Sequence, residues 1–161
     1  MRCASEHVTV REAHVGDADL LRRLLCRAFD EYAGRLDPPS GVDSETPASL
    51  AERIRRGGAL VCEAGTAAIG CAFYEPSAGF LYVGRFGVVP EYRGRGIGAR
   101  LLETAERRAA RYGFTRVRLN VRIALEGLRA YYEAHGYAPI AYHAHAGYAS
   151  PTYVEMEKDV S

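Results

Sequence analysis

Gly94, Gly96 and Gly98 stand at alternate positions, interleaved with Arg93, Arg95 and Ile97 and followed by Ala99. Glycine removes the Cβ atoms that would keep a ligand off the backbone. Arginine adds fixed positive charge and forked donors suited to phosphate. An apolar run over residues 80–89 precedes this segment and reads as a strand. Beyond it Ile97, Leu101, Leu102, Ala105, Ala109 and Tyr112 recur at helical spacing and define one apolar face. The glycines and arginines therefore turn a strand into a helix. The unbonded N–H groups and positive dipole end of that helix favour an anion. The chemistry predicted is a pyrophosphate cradle, with a glycine-rich connector carrying solvated arginines as the plain alternative.

Two nucleotide-binding patterns fit less well. Gly94, Gly96 and Ala99 formally satisfy the dinucleotide fingerprint G-x-G-x-x-G/A. Residues 90–93 nevertheless separate the strand from its first glycine. The next strand ends near Asn120-Val121-Arg122, without an acidic residue for a ribose hydroxyl. A Walker-type loop is excluded because no Gly-Lys-Ser/Thr follows.

The segment Val88 to Gly98, Val-x-Pro-x-x-Arg-Gly-x-Gly-Ile-Gly, resembles the acetyl-CoA loop of GNAT-type N-acetyltransferases, whose core is Arg/Gln-x-x-Gly-x-Gly/Ala. A second stretch, Ala130-Tyr131-Tyr132-Glu133-Ala134-His135-Gly136-Tyr137, is similar to that family's Leu-Tyr-Glu-x-x-Gly-Phe. The resemblance in element order covers nearly the whole chain. It implies acetyl-CoA as co-substrate, held by Gly87, Val88, Val89, Arg93, Gly94, Arg95, Gly96, Ile97, Gly98 and Ala99. It implies direct transfer of an acetyl group to an amine on a small molecule or peptide. A backbone N–H near Val88 would hold the oxyanion. The family tyrosine that protonates the departing thiolate maps to Tyr132, with Tyr131 beside it at the motif's apolar position. Leu125 stands where many relatives carry Asn, and Tyr82 about where some carry a Glu base. Glu75, after the preceding strand, is the remaining candidate base, beside a water relay.

The elements that must position these residues follow from the patterning. Residues 9–13 read as a first strand, with Asp17 as an N-cap. Leu20, Leu21, Leu24, Leu25, Ala28, Phe29 and Tyr32 form a helical stripe that ends at residues 37–41, Asp-Pro-Pro-Ser-Gly. Thr46-Pro47 opens a short second helix, which Gly57-Gly58 stops. Residues 59–64 and 67–74 are strands joined by Gly65-Thr66, a hairpin signal. A turn at residues 76–79 leads into the strand over 80–89. Short turns make these three strands antiparallel, unlike a doubly wound dinucleotide fold. Residues 116–121 form the next strand. Leu125, Leu128, Tyr131, Tyr132 and His135 mark a helix ended by Gly136, and residues 137–145 and 153–158 alternate as two last strands. The expectation is a single α/β (α+β) domain over 1–161, core roughly 8–159, with a GNAT-like, mostly antiparallel mixed sheet of about seven strands and about four helices.

Composition narrows the function. The 161 residues are 48% apolar and 25% charged, with a net charge of +1, which argues against broad binding to nucleic acid or membrane. No apolar run reaches membrane-spanning length and the N-terminus lacks a signal-peptide core, so a cytoplasmic protein is expected. Cys3, Cys26, Cys62 and Cys71 lack C-x-x-C spacing. His143 and His145 lack a third ligand for a metal, and no metal site is expected. Glu31, Asp37, Asp43 and Glu45 gather around the first loop, which predicts a cationic or amine-bearing small acceptor. Dimers are common in the resembling family, so a homodimer is an open expectation. The competing functions are a non-catalytic acyl-CoA-binding module on the same fold and, more distantly, a nicotinamide-dependent oxidoreductase.

Overall fold

A computed structural model describes residues 7–161; Cys3 lies outside them. The chain runs β1 (Val8–Glu12), α1 (Ala18–Phe29), α2 (Pro47–Arg56), β2 (Gly58–Ala64), β3 (Ala67–Pro76), β4 (Leu81–Val88), α3 (Ile97–Arg111), β5 (Arg116–Arg122), α4 (Glu126–Ala134), β6 (Ala138–His143) and β7 (Tyr153–Asp159). The strands form one seven-stranded sheet of order β1-β2-β3-β4-β5-β7-β6. Only β4 and β5 run parallel; every other neighbouring pair is antiparallel. The fold is thus the mixed α/β sheet with four helices that the patterning predicts. Among the described residues no helix is long and apolar enough to cross a membrane.

The helices form where apolar spacing and caps agree. In α2, Thr46 Oγ1 accepts from the Ser49 N–H at 3.1 Å and Pro47 takes the first turn, where no N–H is needed. In α3 the stripe from Ile97 to Ala109 is buried against the sheet, and Leu101 and Leu102 are excluded from solvent. Each such leucine contributes about 1.5–3 kcal/mol. Tyr112, grouped with that stripe by spacing, lies past the helix end, largely exposed, beside Tyr74. Cys62 and Cys71 are buried, and burial pushes both thiols up, so they behave as small hydrophobes.

Asp17 does a different job from the one its position suggests. It makes no cap bond to α1. Its carboxylate instead accepts from the His14 N–H at 2.9 Å and from both Nη atoms of Arg11 at 2.9 and 3.0 Å. It therefore closes the 3-10 turn before α1 and ties that turn to β1. The Arg11 hydrogen bonds, working against burial, lower its pKa from 3.8 to about 2. A depressed carboxylate pKa means stabilisation that is present above the unfolded value and lost as pH falls through the folded one. Asp17→Asn should lower stability at pH 7 by about 1–2 kcal/mol, allowing for screening of the partly exposed Arg11. Urea midpoints should show this difference shrinking between about pH 4 and pH 2.

Candidate functional site

The site begins with an unfinished strand pair. β4 and β5 pair only at Leu81–Val117 and Tyr82–Arg118, then diverge. From residue 83 onward the β5-facing edge of β4 has no strand partner among the described residues. β4 also carries a bulge: Arg85 and Phe86 together face β3 across the interval between the Phe73–Gly84 and Cys71–Gly87 pairs. Arg85 holds φ at 47°, a left-handed value that non-glycine residues seldom adopt. Bulges of this kind re-aim side chains beside functional clefts. Gly87 follows, and a Cβ there would lie 3.0 Å from the Ala28 Cβ, so its absence lets α1 close over β4.

Two cavities fill the cleft. The first, about 570 Å³, is bounded by Gly87 and Val88 of β4, the loop from Arg93 to Ala99, and Leu128, Tyr131 and His135 on the other wall. At its floor α3 begins. Gly96 is the N-cap at φ 78°, no side chain caps the helix, and the first backbone bond runs from Arg100 N–H to Gly96 O. The amides of residues 97–99 therefore precede the helical ladder. Uncapped amides and a helix dipole beside an open cavity suit an anion.

The glycines are there for two separate reasons. Gly94 and Gly96 have φ of 75° and 78° with open space where a Cβ would be, so they serve backbone conformation and ligand access. A Cβ on Gly98 would lie 2.6 Å from the Tyr131 hydroxyl and 3.1 Å from Phe86 Cζ. That glycine lets α4 and β4 meet at the cradle.

The arginines also divide. Arg93 donates from Nε to Val88 O at 3.1 Å, from Nη1 to Glu31 at 2.5 Å and from Nη2 to Ala28 O at 2.8 Å. It is a clamp joining the loop to α1 and β4, and it also borders the cavity. Arg95 lies over the Tyr92 ring at 4.8 Å. Neither Arg95 nor the buried Val89 borders the cavity.

The second cavity, about 380 Å³, lies between β4 and β5 and shares Phe29, Tyr32, Phe86 and Leu128 with the first. Tyr132 lines it, 4% exposed, its ring against Phe86, Tyr131 and Tyr137. Among the described residues no protein group hydrogen-bonds its hydroxyl. Burial raises its pKa, with the surrounding tyrosines adding to the shift, and keeps the phenol protonated. Tyr131 faces the first cavity instead. Leu125, at the start of α4, borders the second.

The carboxylates singled out by sequence are elsewhere. Glu75 sits at the end of β3, 3.8 Å from Arg56, and borders neither cavity. Glu45 is buried; burial opposes its charge, but Ser49 and Arg85 hydrogen bonds and the charges of Arg53 and Arg85 prevail and lower its pKa. Glu31 is taken by Arg93, Asp37 bonds the Tyr148 hydroxyl, and Asp43 is exposed. Sequence reasoning passed over Arg85, Arg122 and Tyr153, all of which line the second cavity. For Arg85 the signal is its place on the same alternation as the buried Leu81 and Val83. His145 lines the same cavity; its Nδ1 contacts Thr152 Oγ1, and burial and then the Arg122 charge lower its pKa. His143 lies by Glu155 instead, at 3.6 Å.

The fold has counterparts. The family model described as the acetyltransferase (GNAT) family matches residues 20–137. The PaiA N-acetyltransferase of Thermoplasma acidophilum, solved in complex with coenzyme A, superposes with a TM-score of 0.78 at 22% identity, covering 95% of this chain and 99% of that one. The ribosomal-protein-S18-alanine N-acetyltransferase of Escherichia coli gives 0.78 at 16% identity, covering 96% and 95%. No curated protein matches the chain by sequence.

Proposed function

The chain belongs to the acetyltransferase (GNAT) family, and from that premise we propose that it moves an acetyl group from acetyl-CoA directly to an amine acceptor. One observation carries the reading. The splayed β4–β5 cleft joins a cavity floored by the uncapped start of α3 to one lined by a buried tyrosine whose hydroxyl has no protein partner among the described residues. The first receives the pyrophosphate and pantetheine arm, the second the acceptor. A thioester at their junction meets the unpaired edge of β4, where a backbone N–H near Val88 takes the oxyanion. The neutral amine attacks the thioester carbonyl; as the tetrahedral intermediate collapses, the CoA thiolate leaves with the Tyr132 proton, and the proton shed by the acylated nitrogen returns through water to Tyr132.

The acceptor arrives as an ammonium and must first lose a proton. We give that proton to His145 rather than to Glu75, which lies against Arg56 outside both cavities. Among the groups lining the second cavity, imidazole is the base that titrates near neutrality. In this reading Nδ1–H donates to Thr152 Oγ1 and Nε2 presents the lone pair. Burial and the Arg122 charge both disfavour the imidazolium. The kcat/KM profile should therefore fall as pH drops through a value below 6.5, the ordinary histidine pKa. Arg122→Gln should move that limb to higher pH, because it removes the cation that disfavours imidazolium.

Calorimetry with acetyl-CoA, followed by thiol release over a panel of amines, tests the assignment. Binding with amine-dependent release supports it. Binding without release from any amine favours the non-catalytic acyl-CoA-binding module, and absence of binding overturns both.

A further inference from the structure

We propose that the acceptor is a small amine that also carries an anion, a carboxylate or phosphonate, and that Arg85 and Arg122 hold that anion; this rests on the acetyl-transfer reading above. The two arginines sit on opposite walls of the second cavity, Arg85 on β4 and Arg122 on β5. Among the described residues no Asp or Glu lines that cavity. Its charge is thus opposite in sign to the acidic cluster of the first loop.

Neither guanidinium is fully neutralised by the protein. Arg85 donates from Nε and Nη2 to Glu45 Oε1 at 3.1 and 3.0 Å, while Arg53 donates to the same oxygen at 2.7 Å. Two guanidinium groups share one carboxylate, so a positive charge is in excess. Nη1 of Arg85 has no acceptor among the described residues. A Cβ on Gly41 would lie 2.7 Å from Arg85 Nη2, so the backbone there lies against the guanidinium and limits its movement. Arg122 donates from Nη1 to Pro38 O at 2.8 Å and from Nη2 to Pro39 O at 2.9 Å. These carbonyls orient it without cancelling its charge, and no carboxylate among the described residues lies within ion-pair distance. Asp37, the acid next to those prolines, is exposed and bonded to Tyr148.

Partly buried, oriented guanidinium groups short of counter-charge recognise planar or tetrahedral anions by forked hydrogen bonds. The same groups repel a polycationic acceptor, which supplies discrimination as well as attraction. A cavity of about 380 Å³ suits a ligand of amino-acid size; drug-sized ligands occupy roughly 300–1,000 Å³. The anion then lies toward the β4 and β5 walls and the amine toward Tyr132.

The test uses matched acceptors with the full-length protein and acetyl-CoA, read by thiol release. L-methionine is compared with L-methioninamide, L-phenylalanine with phenethylamine, and aminomethylphosphonate, putrescine and a short C-terminally amidated peptide without acidic side chains are added. The amide's α-amine is the less basic, so neutral-amine availability favours the amide, and preference for the acid reports recognition. The acids should exceed their partners that lack the anion by at least about tenfold in kcat/KM, the lower range for one charge-assisted contact. Measured at a pH above the His145 limb, Arg122→Gln should raise KM for the acids by a similar factor and lower kcat less, with a much smaller change for the amines that lack the anion and with acetyl-CoA affinity kept. Arg122→Lys should recover part of the loss. A purely structural arginine would instead lower the melting temperature and both substrate classes alike. The comparison on the unmutated protein stands even if Arg122→Gln fails to fold. Equal or better turnover of the amides, of putrescine or of the peptide overturns the anion assignment while leaving acetyl transfer intact. Failure to bind acetyl-CoA overturns the underlying reading, and this proposal with it.

Discussion

Tyr132→Phe should lower kcat by about 10²- to 10⁴-fold, the usual contribution of a positioned general acid. The substitution removes one oxygen and keeps a ring that packs on Phe86, Tyr131 and Tyr137. No hydrogen bond to another described residue is lost with that oxygen, so the melting temperature should stay close to that of the parent. The proton donor acts mainly in the transition state, so KM should change far less than kcat. Burial holds the phenol protonated well above neutrality, so this residue should add no limb to the pH profile between pH 6 and pH 9. Tyr131→Phe is the matched control. It removes the hydroxyl that faces Gly98 and should affect acetyl-CoA affinity more than turnover. Steady-state kinetics on both variants, with circular dichroism for folding, decide the matter. An unchanged kcat in Tyr132→Phe assigns the proton to water or Tyr131.

Gly96→Val should weaken acetyl-CoA binding by about 30- to 1,000-fold. A branched side chain at the start of α3 enters the space that a phosphate would share with the amides of residues 97–99. Losing one or two charge-assisted hydrogen bonds accounts for roughly 2–4 kcal/mol. The substitution also strains the backbone, because Gly96 sits at φ 78°, at roughly 1–2 kcal/mol. Gly113 separates the two effects. It follows the other end of α3 at φ 85°, also with open space around a Cβ, and is remote from the cavity lining. Gly113→Val should lose similar stability and keep the parent affinity. Calorimetry on the two variants compares them directly, and equal affinities would remove the cradle from the assignment.

Much of this protein is local, and what is local was legible. The turn at residues 93–99 could be read because glycine at a positive φ and a free helix start are properties of a few adjacent residues. The antiparallel course of β2, β3 and β4 followed from turns too short for a crossover. Thr46-Pro47 and Gly57 bracket α2 through caps that act within one turn. The same locality explains the misreading of Asp17. Its spacing suits a cap on α1, yet Arg11 on β1 and the His14 N–H offered it stronger bonds.

The rest depends on which distant segments meet. β7 enters the sheet between β5 and β6, a choice made by long-range pairing that alternation alone cannot express. The divergence of β4 from β5, which makes both cavities, has no sequence period of its own. Charges show the limit most plainly. Arg93 reads as a phosphate ligand, and the fold also gives it Glu31, Ala28 O and Val88 O as partners. Glu45 reads as an acidic surface until Arg53 and Arg85 enclose it. A side chain's charge is written in the chain, but its effective field depends on the counter-charge and desolvation supplied by tertiary neighbours, here from residues up to 65 positions away. The glycines and the helix start that border the first cavity could therefore be read from their order, whereas the arginines that line the second are brought together only by β4, β5 and the first loop.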